Sequence, residues 1–511
     1  MFSRIKTAIV YGIDSTLINV ETDISEGMPV FEMVGFLGSE VKEAKERVKA
    51  ALRNSGHSIP LKRITINLSP ANLKKSGTQF DLPVAISLLT AMNLIDKEKV
   101  EDVCVLGELS LDGQISPVKG VLSMVLRARD AGISTCIVPY DNYEEASLVK
   151  GIVVKAFKSL EELVTYLTIG KYSVPVTLQK NNEKMQENEH DFMLINGQPL
   201  LRRACEIAIS GMHNFLMIGP PGAGKSMIAK CIPSILPSMS FEEKLELSKI
   251  YSVCGMLENN RLMDERPFRS PHHTISPQGL CGGGGVPKPG EISLAHNGVL
   301  FLDELTEFDK ATLESLRQPL EDKKVTISRV NGTYTYPANF VLIAAMNSCN
   351  CGYFPDLNRC TCSSTTLKRY IGKISQPLLD RIDICVEAKS LTFFEISDKR
   401  EKNESSAAIR ERVAKAQEVQ RDRYKDENFL FNKDIPSGLI DKYCHLDASL
   451  SDYMHEVYDE KDLTARTYHK VLKVARTIAD MAGAKEIELI HLQEAILYRG
   501  VEKNFWEKEM V

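Results

Sequence analysis

With 511 residues, 43% of them apolar and 26% charged, the chain is an ordinary globular sequence too long for one hydrophobic core, and about three domains are expected. Its net charge of −5 argues against a protein that coats nucleic acid nonspecifically, although a ring can concentrate positive charge in a channel behind an acidic exterior. No stretch of about 18 apolar residues occurs, and the start, Met1-Phe2-Ser3-Arg4-Ile5-Lys6, lacks a signal-peptide core, so the sequence reads as cytoplasmic and not membrane-bound.

Residues 1–172 interleave short alternating strands (Leu17 to Glu21, Val30 to Val34, Ile64 to Asn67) with amphipathic helices, the pattern of an α+β or α/β domain. The clearest helix, Glu40 to Asn54, puts Val41, Ala44, Val48, Ala51 and Leu52 on one face and meets Gly56 as its stop. Residues 173–191 are almost wholly polar and aperiodic from Thr177 onward and read as a linker.

The apolar run Phe215 to Ile218 then opens directly into Gly219, Pro220, Pro221, Gly222, Ala223, Gly224, Lys225 and Ser226, the order of strand, phosphate loop and helix start in a nucleotide hydrolase. The glycines let backbone N–H groups turn inward on phosphates, Lys225 reaches the β and γ oxygens of ATP, and Ser226 offers its hydroxyl to Mg²⁺. A second run, Val299 to Leu302, has the continuous apolarity of a fully buried parallel strand and ends in Asp303 and Glu304. Asp303 would hold the Mg²⁺, and Glu304 would orient or deprotonate the attacking water. A third run, Val341 to Met346, ends in Asn347, whose amide could position that water. Strands separated by helices over residues 192–392 imply an α/β, doubly wound parallel sheet with nucleotide at the carboxyl ends of its strands. From 393 to 511 the pattern is that of a helical lid, with one helix opened by Thr464-Ala465-Arg466 and another running from Glu486 to Leu497.

The stretch between Lys225 and Asp303 is longer than a strand-helix-strand unit requires. Within it, Arg266 to Gly290 mixes Phe268, Arg269, His272, His273, four consecutive glycines and Lys288, a composition suited to a loop that grips a phosphate backbone or, more plainly, to a glycine-rich surface loop. Residues Val325 to Tyr336 alternate on both sides of Asn331-Gly332, a hairpin signal; Tyr334 or Tyr336 could stack on bases and Arg329 meet phosphates, or the tyrosines could pack across strands.

Of the twelve cysteines, most are scattered singly through apolar segments and read as reduced core residues. Cys349, Cys351, Cys360 and Cys362 instead form two Cys-x-Cys pairs around a turn-rich spacer. Four thiolates converging from two such knuckles suit a structural Zn²⁺; four reduced thiols in a tight loop, or an iron–sulfur cluster, are the alternatives.

With these motifs in place the chain resembles the magnesium-chelatase-like AAA+ proteins, and among them the bacterial ComM (YifB) group, over nearly its whole length. The most specific stretches are 266–274 (Arg-Pro-Phe-Arg-Ser-Pro-His-His-Thr), 289–304, 376–383 (Gln-Pro-Leu-Leu-Asp-Arg-Ile-Asp) and 474–480 (Val-Ala-Arg-Thr-Ile-Ala-Asp). The resemblance implies a P-loop AAA+ module with a helix-2 insert and a pre-sensor hairpin, a hexameric ring, and a DNA helicase that migrates branches during natural transformation. It also implies roles for two arginines: Arg381 as the finger offered to a neighbouring subunit, and Arg466 as the sensor of the lid.

Residues 67–85 and 107–140 resemble the proteolytic domain of Lon and the related domain of RadA, an α+β, ribosomal S5 domain 2-like fold. The Lon nucleophile and base are missing: Gly77-Thr78-Gln79-Phe80-Asp81 and Leu122-Ser123-Met124 stand in their places, with Ser76 and Ser123 alongside. A serine without a positioned base cannot attack a carbonyl, so a non-proteolytic accessory domain is expected. Two readings of function remain: a motor acting on single-stranded or branched DNA, and a chelatase-like remodeller of a protein partner. Chelatase motor subunits are expected to lack the front domain, which favours DNA.

Overall fold

The structure, a computed structural model, describes residues 1–175, 190–257, 261–329, 332–356, 358–392 and 403–506. Most of the expected linker, and Asn331 of the expected hairpin turn, lie outside the described residues.

The front region is a mixed seven-stranded sheet in the order β3-β4-β2-β1-β5-β8-β9. It starts with a long hairpin, β1 (Phe2–Tyr11) and β2 (Asp14–Ser25), to which β3 (Val30–Val34), β4 (Arg63–Ser69) and β5 (Val103–Val105) are added. A short pair, β6 (Glu108–Leu109) and β7 (Ile115–Ser116), precedes β8 (Thr135–Pro139) and β9 (Val153–Phe157). β1 is added to the expected strands, and β2 is longer than the sequence pattern suggests because polar residues such as Thr22 and Asp23 continue the alternation past the apolar stretch. Helix Ser39–Asn54 buries the five residues expected of it, Val41, Ala44, Val48, Ala51 and Leu52, and Gly56 follows in the left-handed region at φ +81°. Each fully buried Val or Leu on that face contributes about 1.5–3 kcal/mol.

The second sheet is wholly parallel. β10 (Phe215–Ile218), β11 (Phe268–Arg269), β14 (Val299–Leu302), β17 (Val341–Met346) and β18 (Ile384–Glu387) stand in the order β11-β14-β17-β10-β18. Every residue of β10, β14 and β17 is buried, which is why these strands read as unbroken apolar runs and not as alternations. The chain leaves β10 for one edge and later returns to its other side as β18, so the carboxyl end of β10 is the switch point of the sheet, where such folds open a crevice. Two ribbons are added: β12 (Gly282–Gly283) with β13 (Lys288–Pro289), and the hairpin β15 (Lys324–Arg329) with β16 (Gly332–Pro337), in which Arg329 pairs with Gly332.

The described residues from 403 onward form no strand. Helices Ser406–Arg423, Ala448–Glu460, Ala465–Met481 and Leu489–Trp506 share a core with β10, β14 and β17. Thr464 caps the third of these, its hydroxyl accepting from Thr467 N. The last begins three residues after the expected Glu486, because Arg476 fixes the preceding loop by donating to the carbonyls of Ala484 and Lys485, each at 2.7 Å. No described helix is long and apolar enough to cross a membrane.

The front sheet and the parallel-sheet region meet along a seam. Gly120 N donates to Ser252 O at 3.1 Å, Ser252 Oγ donates to Glu145, and the Tyr11 ring stacks on Tyr334 with centroids 4.4 Å apart.

Candidate functional site

At the carboxyl end of β10 the chain turns through Gly222 and Gly224, both left-handed (φ +77° and +82°), and enters helix Lys225–Cys231, with Gly224 as its N-cap. The free N–H groups of that first turn and the positive end of the helix face the crevice. Lys225 is folded back over the loop, its Nζ donating to Gly219 O (2.8 Å), Pro220 O (2.9 Å) and Asn347 Oδ1 (3.2 Å). Burial lowers its ammonium pKa, while the Asp303 carboxylate pulls the other way. Ser226 Oγ donates to Asp303 Oδ2 at 2.6 Å, and Asp303 Oδ1 accepts from Glu304 N at 2.9 Å.

Lys225, Ser226, Asp303 and Asn347, named from three separate segments, therefore converge. A hydroxyl beside a carboxylate is an oxygen pair of the kind Mg²⁺ takes with phosphate oxygens, so these residues fit that ion. Glu304 adjoins them in the left-handed region at φ +51°, a conformation that costs a non-glycine residue about 1–3 kcal/mol and that persists where surrounding structure imposes it. Its half-exposed carboxylate stands 3.7 Å from His273 Nδ1.

The two arginines lie elsewhere. Arg381 is held by its own chain: its guanidinium donates to Pro377 O at 2.6 Å and Arg317 O at 3.2 Å and pairs with Glu321. Arg466 lies 3.5 Å from Asp380, so both arginines flank one short segment, which Lys470 and Arg499 of the lid also grip through the Ile382 carbonyl at 2.8 and 2.7 Å.

The expected substrate-gripping loop is only partly a loop. Phe268 and Arg269 are the edge strand β11; Phe268 packs on Phe301, and Arg269 makes a two-pronged pair with Glu291 at 2.6 and 2.8 Å. Arg266 is buried against Glu243 and two carbonyls. Of the cations considered, exposed Lys288 and Arg329 remain at the surface beside the glycine run. Both hairpin tyrosines are occupied as well: Tyr336 is buried with its hydroxyl donating to Pro287 O at 2.6 Å, and Tyr334 stacks on Tyr11.

In the front region, Ser123 Oγ donates to Ile13 O at 2.7 Å.

The four cysteines of the two knuckles gather with all Sγ atoms within 4.8 Å of one another. Sγ–Sγ separations are 3.2 Å for Cys349–Cys351, 3.5 Å for Cys351–Cys360 and 3.8 Å for Cys349–Cys360, against roughly 3.8 Å for the edge of a tetrahedron with Zn–S bonds of about 2.3 Å. Cys349 Sγ accepts from Gly352 N (3.2 Å) and Phe354 N (3.4 Å), the N–H support that a thiolate ligand needs. Burial opposes charge on Cys351, but N–H groups of Tyr353 and Thr361 and the adjacent thiols hold it at about 6. The residues fit Zn²⁺.

Sequence reasoning missed three contacts here. His273 faces Glu304; the Tyr370 hydroxyl accepts from Thr306 Oγ1 (2.8 Å) and donates to Asn347 O (3.2 Å); and Gly352 abuts Pro221 of the phosphate loop. Each joins residues far apart in sequence, and only the dense motif around His273 carried a local signal.

A parallel sheet whose switch point carries this loop, an acidic strand end and a helical lid defines a chelatase-type AAA+ protein. Family models agree: the magnesium chelatase subunit ChlI model matches residues 191–396, its C-terminal model 403–499, and a model described as subunit ChlI of Mg-chelatase 20–142. The chain is 39% identical to competence protein ComM of Haemophilus influenzae, over 97% of each chain, and 40% identical to YifB of Escherichia coli, over 98% of this chain and 97% of that one. It belongs to the ComM/YifB family of magnesium-chelatase-like proteins. The Lon protease of Mycolicibacterium smegmatis is 26% identical over 29% of this chain and 19% of its own length.

Proposed function

We propose that the protein is an ATP-driven DNA motor, working as a hexameric ring in recombination during natural transformation. One observation carries the ATPase part: Lys225, Ser226, Asp303 and Asn347 converge beside a strained Glu304 at the switch point of a parallel sheet.

The loop N–H groups from Gly222 to Ser226 cradle the phosphates, and Lys225 exchanges its carbonyl partners for the β and γ oxygens. Ser226 and Asp303 would hold Mg²⁺, which would supply positive charge beside the phosphoryl oxygens. Glu304 orients the attacking water and takes its proton, with Asn347 fixing that water from the next strand. Arg381 of one subunit completes the site of its neighbour, leaving Glu321 to do so, and Arg466 senses nucleotide through the lid. Cys349, Cys351, Cys360 and Cys362 hold a structural Zn²⁺.

Support for DNA comes from the relative named for competence, the state in which cells take up DNA, and from Lys288 and Arg329 exposed beside the glycine run. The second reading, a remodeller of a protein partner, keeps specific support: the model matching the front region is itself described as a chelatase subunit, so that region does not separate the two. The deciding measurement is the ATPase rate of the full chain alone, with single-stranded DNA and with branched DNA. Stimulation by DNA is expected; a rate indifferent to every DNA form favours the remodeller.

A further inference from the structure

The cysteine loop sits against the phosphate loop and not on a remote surface. Gly352, between the two knuckles, has φ +84°, and a Cβ placed there would fall 2.4 Å from Pro221 Cδ, so the Gly352 backbone lies directly against the Pro221 ring. Its carbonyl accepts from the buried Ser348 hydroxyl at 3.2 Å. Cys349 comes two residues after Asn347, whose side chain takes a hydrogen bond from Lys225. Cys362 comes one residue before Ser363, which caps helix Ser364–Ile371, and that helix carries Tyr370, whose hydroxyl ties Asn347 O to Thr306, two residues beyond Glu304. Both ends of the cysteine loop, and Gly352 just after the first knuckle, are thus fastened to the nucleotide site.

We propose that metal occupancy of the Cys349, Cys351, Cys360 and Cys362 site controls nucleotide binding, making the cluster a zinc-dependent regulatory site for the ATPase. This rests on the reading of the four thiols as a zinc site and of the adjoining crevice as an ATP site. Drawing four sulfurs onto one ion fixes Gly352 against Pro221 and holds Asn347 at the Lys225 ammonium. Without the ion the two knuckles separate, and Pro221 and Asn347 lose their shared support. Coupling of this kind between two sites is reciprocal: nucleotide must tighten zinc by the same factor that zinc tightens nucleotide, and couplings through packed contacts run to about 5–150-fold.

The test uses the full chain carrying Glu304→Gln, so that ATP binds without being consumed. Zinc affinity is measured at equilibrium by competition with a colorimetric chelator, with and without saturating ATP and Mg²⁺. Lys225→Ala, which cannot hold the nucleotide, controls for zinc taken up by ATP itself. Zinc bound at least about fivefold more tightly with ATP, and no change in Lys225→Ala, is the expected result. Bound zinc with equal affinity in both conditions overturns the coupling and leaves the metal site standing. A chain that binds no zinc overturns the metal site and the regulation together, whereas zinc that binds to a chain unable to bind ATP refutes the nucleotide reading instead. In the unmutated chain the same coupling is read from the other side: a fluorescent ATP analogue should bind at least about fivefold more weakly after chelation.

Discussion

Lys75 in the front region and Lys225 beside the parallel sheet are both buried, and desolvation pushes both ammonium groups below the ordinary lysine range. Their surroundings differ in kind. Lys225 has a carboxylate, a hydroxyl and an amide from three strand ends around it, and the N-terminus of a helix. Among the described residues, the hydrogen bond of the Lys75 ammonium goes to the carbonyl of Pro70, while Ser123 donates to Ile13 O. A perturbed lysine therefore marks chemistry only where other groups can bind and transform a ligand. The front region is similar in sequence to part of a Lon protease, and Lys75 there lacks the surroundings that Lys225 has.

The largest effect should separate the two lysines. Lys225→Ala is expected to abolish ATP binding and Lys75→Met to leave it unchanged, both read with a fluorescent ATP analogue; equal losses would erase the distinction.

Next in size is Arg381→Ala. If Arg381 acts on the neighbouring subunit, ATP turnover falls by about 10³ or more while ATP binding persists. Rings mixed from this variant and Lys225→Ala should recover turnover at interfaces where an intact Lys225 faces an intact Arg381. Because Arg381 also bridges Pro377, Arg317 and Glu321, a variant that loses thermal stability but hydrolyses ATP normally would make it a structural clamp, and exposed Arg369 the next candidate.

Glu304→Gln keeps shape and polarity and removes the base. Binding should persist and turnover drop by about 10² or more, with the strained backbone at residue 304 unchanged. Full turnover in the purified variant would leave the strain without a catalytic purpose. A smaller change is expected at the cysteine cluster, where Cys360→Ser combined with Cys362→Ser should remove about one zinc per chain by metal analysis.

How much of this was legible in the sequence also divides along the two regions. β10, β14 and β17 are buried on both faces, so their apolar runs are continuous and their polar termini, Lys225, Asp303, Glu304 and Asn347, stand out. β2 alternates buried and more exposed residues from Ile18 onward, and its Thr, Ser and Asp residues hid its length. A two-residue strand such as β11 leaves no periodicity, and the fate of Arg269 was decided by Glu291, 22 positions later. The stacking of Tyr334 on Tyr11 joins the two regions, and nothing local to either residue announces it.

The smallest predicted effect lies on the seam where the regions meet. Glu145 of the front region is buried, and burial raises its carboxyl pKa above the ordinary 4.5 despite hydrogen bonds from Ser252 of the motor region, Leu122 N and Asn142 that favour the charged form. The folded chain therefore holds this proton more tightly than the unfolded chain. As pH rises from 4.5 through the raised folded value, the unfolded state releases its proton first, and this group's contribution to stability declines; below and above that window it is level. Glu145→Gln stays neutral throughout, and its carbonyl oxygen still accepts from Ser252 and Leu122. It turns an N–H₂ toward the Asn142 amide, which costs about 1 kcal/mol at any pH. The melting temperature of the wild type relative to the variant should thus fall as pH rises from 4.5 through the raised folded value. A difference that stays flat across that range would mean that Glu145 ionises as freely in the folded chain as in water, and that the seam is open to solvent at this residue.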